Sequence, residues 1–499
     1  MLQVSQTKSY AKQVKFYTFI VHLFNWIRMK KRAIILVLFV FTGFSLVAGQ
    51  ATGSLTGEQK NWLGKANRHE KNGWIYLHIE GKPEERGFQH GYLLAKEIKE
   101  AIRQTAEVWH YQTAMSWQWM VSKSAELFNS GIDAENMAEM EGIVEGMKAA
   151  GVSSTRNEIV AYNASTEFTE YWWPLVKDSL SSDSPEPKKE SCSSFIATGS
   201  MTADGKIVLG HNTMSSFYYP SCNVILDILP EKGYRILMQS VAGLIHSETD
   251  FFITSAGLVG SETTIGGFFP FDKKGIPEFV RMRRATQYAS TIDEWCAIMK
   301  EGNNGGYANA WLIGDINTNE IARLELGLKY IGFERKKDGY FTGSNVAENL
   351  NILRFETKSS EQDIKISSVA RRVRWKQLMK ENAGKITLEL GKAMEADHYD
   401  TYLNTTTPDM RTLCSHPDLD PDPYGVDIPY SPWGTLDGKV VDSKMAKQMS
   451  FAARWGSACG TPFSAKEFLE KHQQYDWMTG LIYDRPTQPW TVFKSGEEK

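Results

Sequence analysis

The sequence predicts an α+β chain or a layered α/β/β/α domain. Short strand-like runs crowd into residues 195–326, helical patterns stand before, between and after them, and no fixed-period repeat points to a solenoid or propeller. Composition agrees with a packed globular chain. Hydrophobic residues make up 42% and charged residues 23%, ordinary values that exclude wholesale disorder and a multi-span membrane protein. The 56 basic and 59 acidic residues leave a net charge of −3, and no Lys/Arg run interleaved with aromatics stands out, so no nucleic acid partner is expected. Aromatics reach 12%, which suits a large core or a pocket for an apolar or sugar-like ligand.

Residues 1–49 are expected to lie outside the fold. Met29-Lys30-Lys31-Arg32 precedes an apolar run from Ala33 to Val40, and Ser45-Leu46-Val47-Ala48-Gly49 supplies small residues at a cut site. That is the pattern of a secretory signal peptide, with residues 1–28 as an over-long extension before Met29. The rival is a membrane anchor, but Ala33–Gly49 falls just under spanning length and no stop-transfer cluster follows. Export is therefore expected, to a periplasm or the exterior, or to a lysosome-like compartment in a eukaryote.

Residues 50–176 are expected to form an N-terminal helical portion. It has one strand at 74–79, a helix from about Phe88 with Leu94, Ile98 and Ile102 on one face, and a helix at 134–150 stopped by Gly151. Residues 177–191 follow as an exposed processing linker, because Lys177 to Glu190 is Ser, Pro and charge apart from Leu180, with almost nothing to bury. Residues 192–499 then form the catalytic portion, packing with 50–176 as one domain. Its strands are expected at Phe195–Thr198, Ile207–His211, Val224–Leu229, Tyr234–Gln239, Phe251–Ser255, Leu258–Thr264, Asn309–Gly314 and Ile321–Leu326. Ala203-Asp204-Gly205-Lys206 is a hairpin turn between the first two. Helices are expected at 277–289, 291–301, 366–382 and 386–396, before a Pro/Asp-rich loop from Pro408 to Pro432.

The five cysteines, Cys192, Cys222, Cys296, Cys414 and Cys459, fit no metal spacing such as C-x-x-C. An odd number leaves at least one thiol unpaired in an oxidising compartment, and a Cys414–Cys459 pair stays open. His398-x-Asp400 and His416-x-Asp418 lack a third ligand at metal spacing, so neither a metal nor a cofactor is assigned. Cys192 stands out by position, at the junction of a disposable linker and a hairpin. Cleavage of the bond before it would put a thiol and a new α-amine on one residue. With a pKa of about 7.7–8.0, that amine could serve as the base for its own thiol. The plain alternative is an inert buried strand cysteine.

Ser191-Cys192-Ser193-Ser194-Phe195, followed by Thr202-Ala203-Asp204-Gly205-Lys206-Ile207-Val208-Leu209-Gly210-His211-Asn212, resembles the nucleophile segment of the N-terminal-nucleophile hydrolases. The resemblance is to their phospholipase B-like and acyl-coenzyme A:6-aminopenicillanic acid acyltransferase group. Arg86-Gly87-Phe88-Gln89-His90-Gly91, Ala256-Gly257-Leu258-Val259-Gly260-Ser261-Glu262-Thr263-Thr264 and Asn309-Ala310-Trp311-Leu312-Ile313-Gly314-Asp315 are similar to further motifs of that group, in order. A weaker echo spans Trp433 to Phe463.

The resemblance implies a four-layer αββα fold, self-cleavage before Cys192, and hydrolysis of an amide or ester acyl bond. It makes Cys192 the nucleophile, His211 the residue orienting its amine or thiol, and Asn309 the oxyanion donor. Glu262, Thr263 and Trp311 would line the substrate cleft. A supporting Arg is also implied, with Arg354 and the Arg371-Arg372-x-Arg374 run as candidates. The implied partner is a small acylated molecule, a lipid or N-acyl amide, and the two processed fragments would stay associated. Acyl transfer, or a non-catalytic envelope ligand-binding protein on the same fold, remains the alternative. Trp172-Trp173-Pro174 and Gly266 to Phe271 are either pocket wall or core.

Overall fold

A computed structural model of the chain describes residues 55–177, 192–218, 223–248, 251–424 and 428–497. The segment expected to direct export, all of the expected linker but Lys177, and Cys222 lie outside the described residues. Among the described residues, no helix is long and apolar enough to cross a membrane.

Two sheets carry the fold. One has nine strands, ordered in space as Asn67–Lys71, Trp74–Gly81, Val224–Pro230, Ile236–Ser240, Phe251–Thr254, Leu258–Thr264, Asn309–Asp315, Glu320–Leu326 and Ile331–Lys336. The other has six, ordered Gly339–Gly343, Cys192–Thr198, Val208–Ser216, Trp433–Asp442, Ser450–Trp455 and Thr491–Lys494. The alternation of side chains along each strand sorts the apolar residues into separate cores. Ile196, Leu209, Val259, Leu312, Val441 and Phe451 pack between the sheets. The opposite face of the nine-stranded sheet, with Leu77, Leu226, Met238 and Trp311, is covered by helices carrying Leu94, Ile98, Met140, Ile143, Phe279 and Trp295. Phe195, Ala197, Val208 and Val440, on the outer face of the six-stranded sheet, pack on Trp375, Leu378, Met379 and Met394. The layers are therefore helix, sheet, sheet, helix. Each buried aliphatic or aromatic side chain of these cores contributes roughly 1.5–3 kcal/mol.

The N-terminal portion supplies more than helices. Trp74–Gly81 pairs in parallel with Val224–Pro230 from Ile75↔Val224 to Gly81↔Pro230 and in antiparallel fashion with Asn67–Lys71, so two strands of the large sheet precede the linker.

The Arg86–Gly91 motif has a packing role. It lies on helix Pro83–Leu93, which crosses helix Ala134–Ala149 so closely that a Cβ on Gly87 would sit 2.1 Å from the Glu139 carbonyl oxygen, and one on Gly91 2.0 Å from that of Ile143. Gly142 and Gly146 face back from the second helix in the same way. Arg86 donates to Glu139 and Glu135 across this contact, at 2.5 and 2.9 Å. His90 Nε2 accepts the Gly243 N–H at 2.9 Å, holding a turn with φ +91°. Gly91→Ala must push two backbones apart, and is expected to lower stability by about 3 kcal/mol or more in urea denaturation, the upper range for overpacking. A parent-like midpoint would show that the helices can separate freely.

Candidate active site

Cys192 is the first residue of its strand and is buried. The antiparallel register sets Cys192 opposite Thr213, Ser193 opposite Asn212 and Ser194 opposite His211. Cys192, Ser194 and Ile196 thus share the face toward the large sheet, whereas Ser193 and Phe195 face the outer helices. Ser194 Oγ lies 2.7 Å from Ser261 Oγ and donates to the Gly210 carbonyl at 2.8 Å, pinning the two sheets together beside the thiol. On the other side, Ser193 Oγ accepts from Trp375 Nε1 at 2.9 Å.

The Cys192 thiol donates to Glu262 Oε1 at 3.7 Å. Tyr307 Oη donates to the same oxygen at 3.0 Å. Burial, followed by the Glu262 carboxylate, pushes the thiol well above its ordinary pKa, and Lys439 pulls only partly the other way. The sulfur therefore stays protonated at neutral pH and needs a base to react.

Arg371 reaches the same residue from helix Ser367–Glu381. Its Nη1 donates to the Cys192 carbonyl at 2.7 Å, Nη2 to Asn345 Oδ1 at 2.7 Å, and Nε to Ser367 Oγ at 3.1 Å. The other arginines of the candidate set are engaged elsewhere. Arg354 is exposed and pairs with Glu361, Arg372 with Glu348, and Arg374 with Asp397. One guanidinium of the basic run is turned inward onto the cysteine backbone, and the run as a whole is not simply a solvated face.

His211 lies on the neighbouring strand as expected. The register puts it across from Ser194, so it sits about 7 Å along the strand from Cys192's own partner. Neither ring nitrogen has a side-chain hydrogen-bond partner. Burial, then the ammonium of Lys439, holds its pKa well below the ordinary value, with the Glu262 backbone pulling weakly the other way. The imidazole is neutral at pH 7. Lys439 is its cross-strand neighbour and is fully buried. Lys439 Nζ donates to Asp437 Oδ1, Gln239 Oε1 and Thr213 Oγ1, all at 2.5 Å, and Gln239 Nε2 donates to Asp437 Oδ2 at 2.7 Å. A closed polar network thus lies between the sheets under the residue facing Cys192.

Asn309 opens its strand opposite Thr264, two positions from Glu262 in the adjacent strand. It is fully buried, and both its amide nitrogen and its amide oxygen lack a hydrogen-bond partner. Thr263 Oγ1 and Thr264 Oγ1 are likewise buried and unpaired. Unspent buried donors are unusual, since nearly all buried polar groups are satisfied. A second carboxyl, Glu278, is buried within electrostatic reach of Glu262, Glu248 and Glu167, and burial raises its pKa well above normal.

A family model for Phospholipase B matches residues 66–331, just over half of the chain. The chain belongs to the phospholipase B family. It is 30% identical over 147 residues to putative phospholipase B-like 2 of Bos taurus, covering 25% of this chain and 24% of that protein. Against putative phospholipase B-like 2 of Homo sapiens it is 38% identical over 143 residues, again 25% and 24% of the two chains. An uncharacterized protein of Archaeoglobus fulgidus is 22% identical over 257 residues, 49% of this chain and 42% of that one. The chain spans less than half the length of each of these relatives. Among solved structures, a conjugated bile acid hydrolase mutant from Clostridium perfringens superposes with a TM-score of 0.30 at 10% identity, covering 53% of this chain and 89% of that one. Penicillin V acylase from Agrobacterium tumefaciens gives 0.27 at 13%, with 54% and 83% covered.

In this phospholipase B family member, Cys192, His211, Glu262, Thr263, Asn309 and Trp311 fall inside the matched stretch, while Arg371, Asp437 and Lys439 fall beyond it. The structure brings Cys192 and Glu262 into contact, with Asn309 on the strand beside Glu262. Trp311 is different. It pairs with Glu262 in register, but its ring is fully buried under the helices, 5.0 Å from Trp295, and serves the core. Trp173 and Phe268 are also core residues, in separate clusters.

Proposed function

We propose that this chain is an exported, self-processing acyl hydrolase in which Cys192, freed by cleavage of the Ser191–Cys192 bond, is the nucleophile. The supporting observation is the Cys192 thiol held against Glu262 at the start of a strand, with the unspent Asn309 amide on the strand beside Glu262. In maturation the thiol proton passes to Glu262, and Sγ attacks the Ser191 carbonyl. The S–C bond forms as the C–N bond breaks, and the departing nitrogen takes the proton as the new α-amine. Water then cleaves the thioester, releasing the Ser191 carboxylate and restoring the thiol.

In turnover that amine, with a pKa near neutrality, takes the thiol proton as Sγ attacks an acyl carbonyl. Asn309 Nδ2 faces the developing oxyanion, and the ammonium returns the proton to the leaving amine or alcohol. Arg371 fixes the Cys192 carbonyl and with it the direction of thiol and amine. The substrate is a small molecule with an amide or ester acyl group. The export part of the proposal rests on residues 29–49 alone, and full-length protein confined to the cytosol would overturn it.

Asn309→Ala is expected to lower kcat by about 10²–10³, the cost of one lost oxyanion donor, without altering the melting temperature. Steady-state kinetics on a panel of acyl amides and esters tests this. A parent-like rate would make Asn309 a strand residue only.

A further inference from the structure

Away from Cys192, two loops converge on a set of four side chains that the reading above does not use. His398, Cys414, His416 and Cys459 place one ligand atom each within 4.8 Å of all the others. His416 Nε2 lies 3.5 Å from Cys414 Sγ and 3.4 Å from Cys459 Sγ. Zinc bonds of about 2.3 Å to sulfur and 2.0–2.1 Å to nitrogen, at tetrahedral angles, give a sulfur–nitrogen edge of roughly 3.5–3.6 Å. The first of the two edges equals the lower bound of that figure and the second falls just short of it.

We propose that these four residues form a structural zinc site. The donors are two thiols and two imidazoles, the soft-and-borderline set that selects zinc in a tetrahedron. Four protein ligands fill the coordination sphere, which makes the site structural and leaves no position for a reacting water. The surroundings are built for it. His416 presents Nε2 to both sulfurs, and its Nδ1 faces Asp418 Oδ1 at 3.7 Å, the outer carboxylate that commonly orients a ligating histidine. That carboxylate oxygen is buried without a hydrogen bond of its own, as is His398 Nε2. Cys459 Sγ accepts the Thr461 backbone N–H at 3.4 Å, a contact that favours a thiolate. A Cys414–Cys459 disulfide would give the two histidines no role.

Zinc binding displaces the protons of the two thiols and joins the 397–416 loop to the loop following strand Ser450–Trp455. The gain reaches the catalytic sheet. Asn212, opposite Ser193, donates through Nδ2 to the carbonyls of Leu413 and Glu395, so the pinned loop buttresses the back of the Cys192 strand.

The test is made on the full chain purified without chelator, and needs no substrate. Elemental analysis is expected to give about one zinc per chain. Chelator-stripped protein reloaded with cobalt(II) should show the absorption of a tetrahedral thiolate complex, and its melting temperature should rise with added zinc. Cys459→Ser and His398→Ala should each reduce zinc to background. Zinc at background in the parent protein would overturn the proposal, as would finding Cys414 and Cys459 joined as a disulfide by peptide mass mapping. If the variants fail to fold, the parent's metal content and cobalt spectrum still decide it.

Discussion

Cys192→Ala is expected to give a single uncut chain with no measurable turnover. The loss should approach the roughly 10⁶-fold in kcat seen when a nucleophile is removed from an assembled site, because the proposed mechanism makes nucleophile, amine base and processing trigger one residue. Denaturing electrophoresis and activity, read on the same preparation, check both halves. The fold should survive, since the alanine keeps the strand register and leaves out only a thiol whose one acceptor, Glu262, is also served by Tyr307. A variant that is still cut, or still active, would move the nucleophile to another residue. Cys192→Ser separates the steps further, because a hydroxyl is the weaker nucleophile and should slow both.

Lys439→Met should be the most damaging substitution for stability. The ammonium of Lys439 is fully buried between the sheets and pairs with Asp437, also fully buried. Removing one member of a buried pair leaves an uncompensated charge and costs about 3–5 kcal/mol. Urea or thermal unfolding measures it directly, and the double variant Lys439→Met with Asp437→Leu should recover part of the loss. The same change has a spectroscopic consequence. Lys439 is one cause of the depressed His211 pKa, so removing its charge should let the imidazole protonate at higher pH, as followed by its NMR shifts. A single variant within about 1 kcal/mol of the parent would mean that the network is not a structural centre.

These effects also show where the sequence was legible. Leu258–Thr264 and the helices at 134–149, 278–288 and 292–300 follow hydrophobic patterns and turn signals that need no partner to be seen. Trp433–Asp442 was not expected as a strand. Its inward face carries Asp437 and Lys439, two charges that become a buried pair only once folded, so its inward positions show no continuous apolar alternation. The sequence pattern does not single out Ser450–Trp455, Thr491–Lys494 or Gly339–Gly343 either.

The same limit applied to the site. Cys192 was visible from its place beside the linker, and Asn309 and Glu262 from their motifs. Arg371 was one of three arginines within four residues, and only the helix rotation separates it from Arg372 and Arg374. The His398, Cys414, His416 and Cys459 cluster has no local metal spacing, because its ligands come from loops 43 residues apart at the widest gap and sequence spacing detects only local knuckles.

Intact mass combined with N-terminal sequencing of the purified protein tests the central claim most directly. The account predicts two chains that copurify, the larger about 35 kDa and starting at Cys192, the smaller about 16 kDa if the chain is also cut after Gly49. They should separate only on unfolding, because strand Trp74–Gly81 of the first is paired along its length with Val224–Pro230 of the second. A single chain that carries an intact Ser191–Cys192 bond and still hydrolyses its substrate would contradict it, since no α-amine would then exist to act as the base.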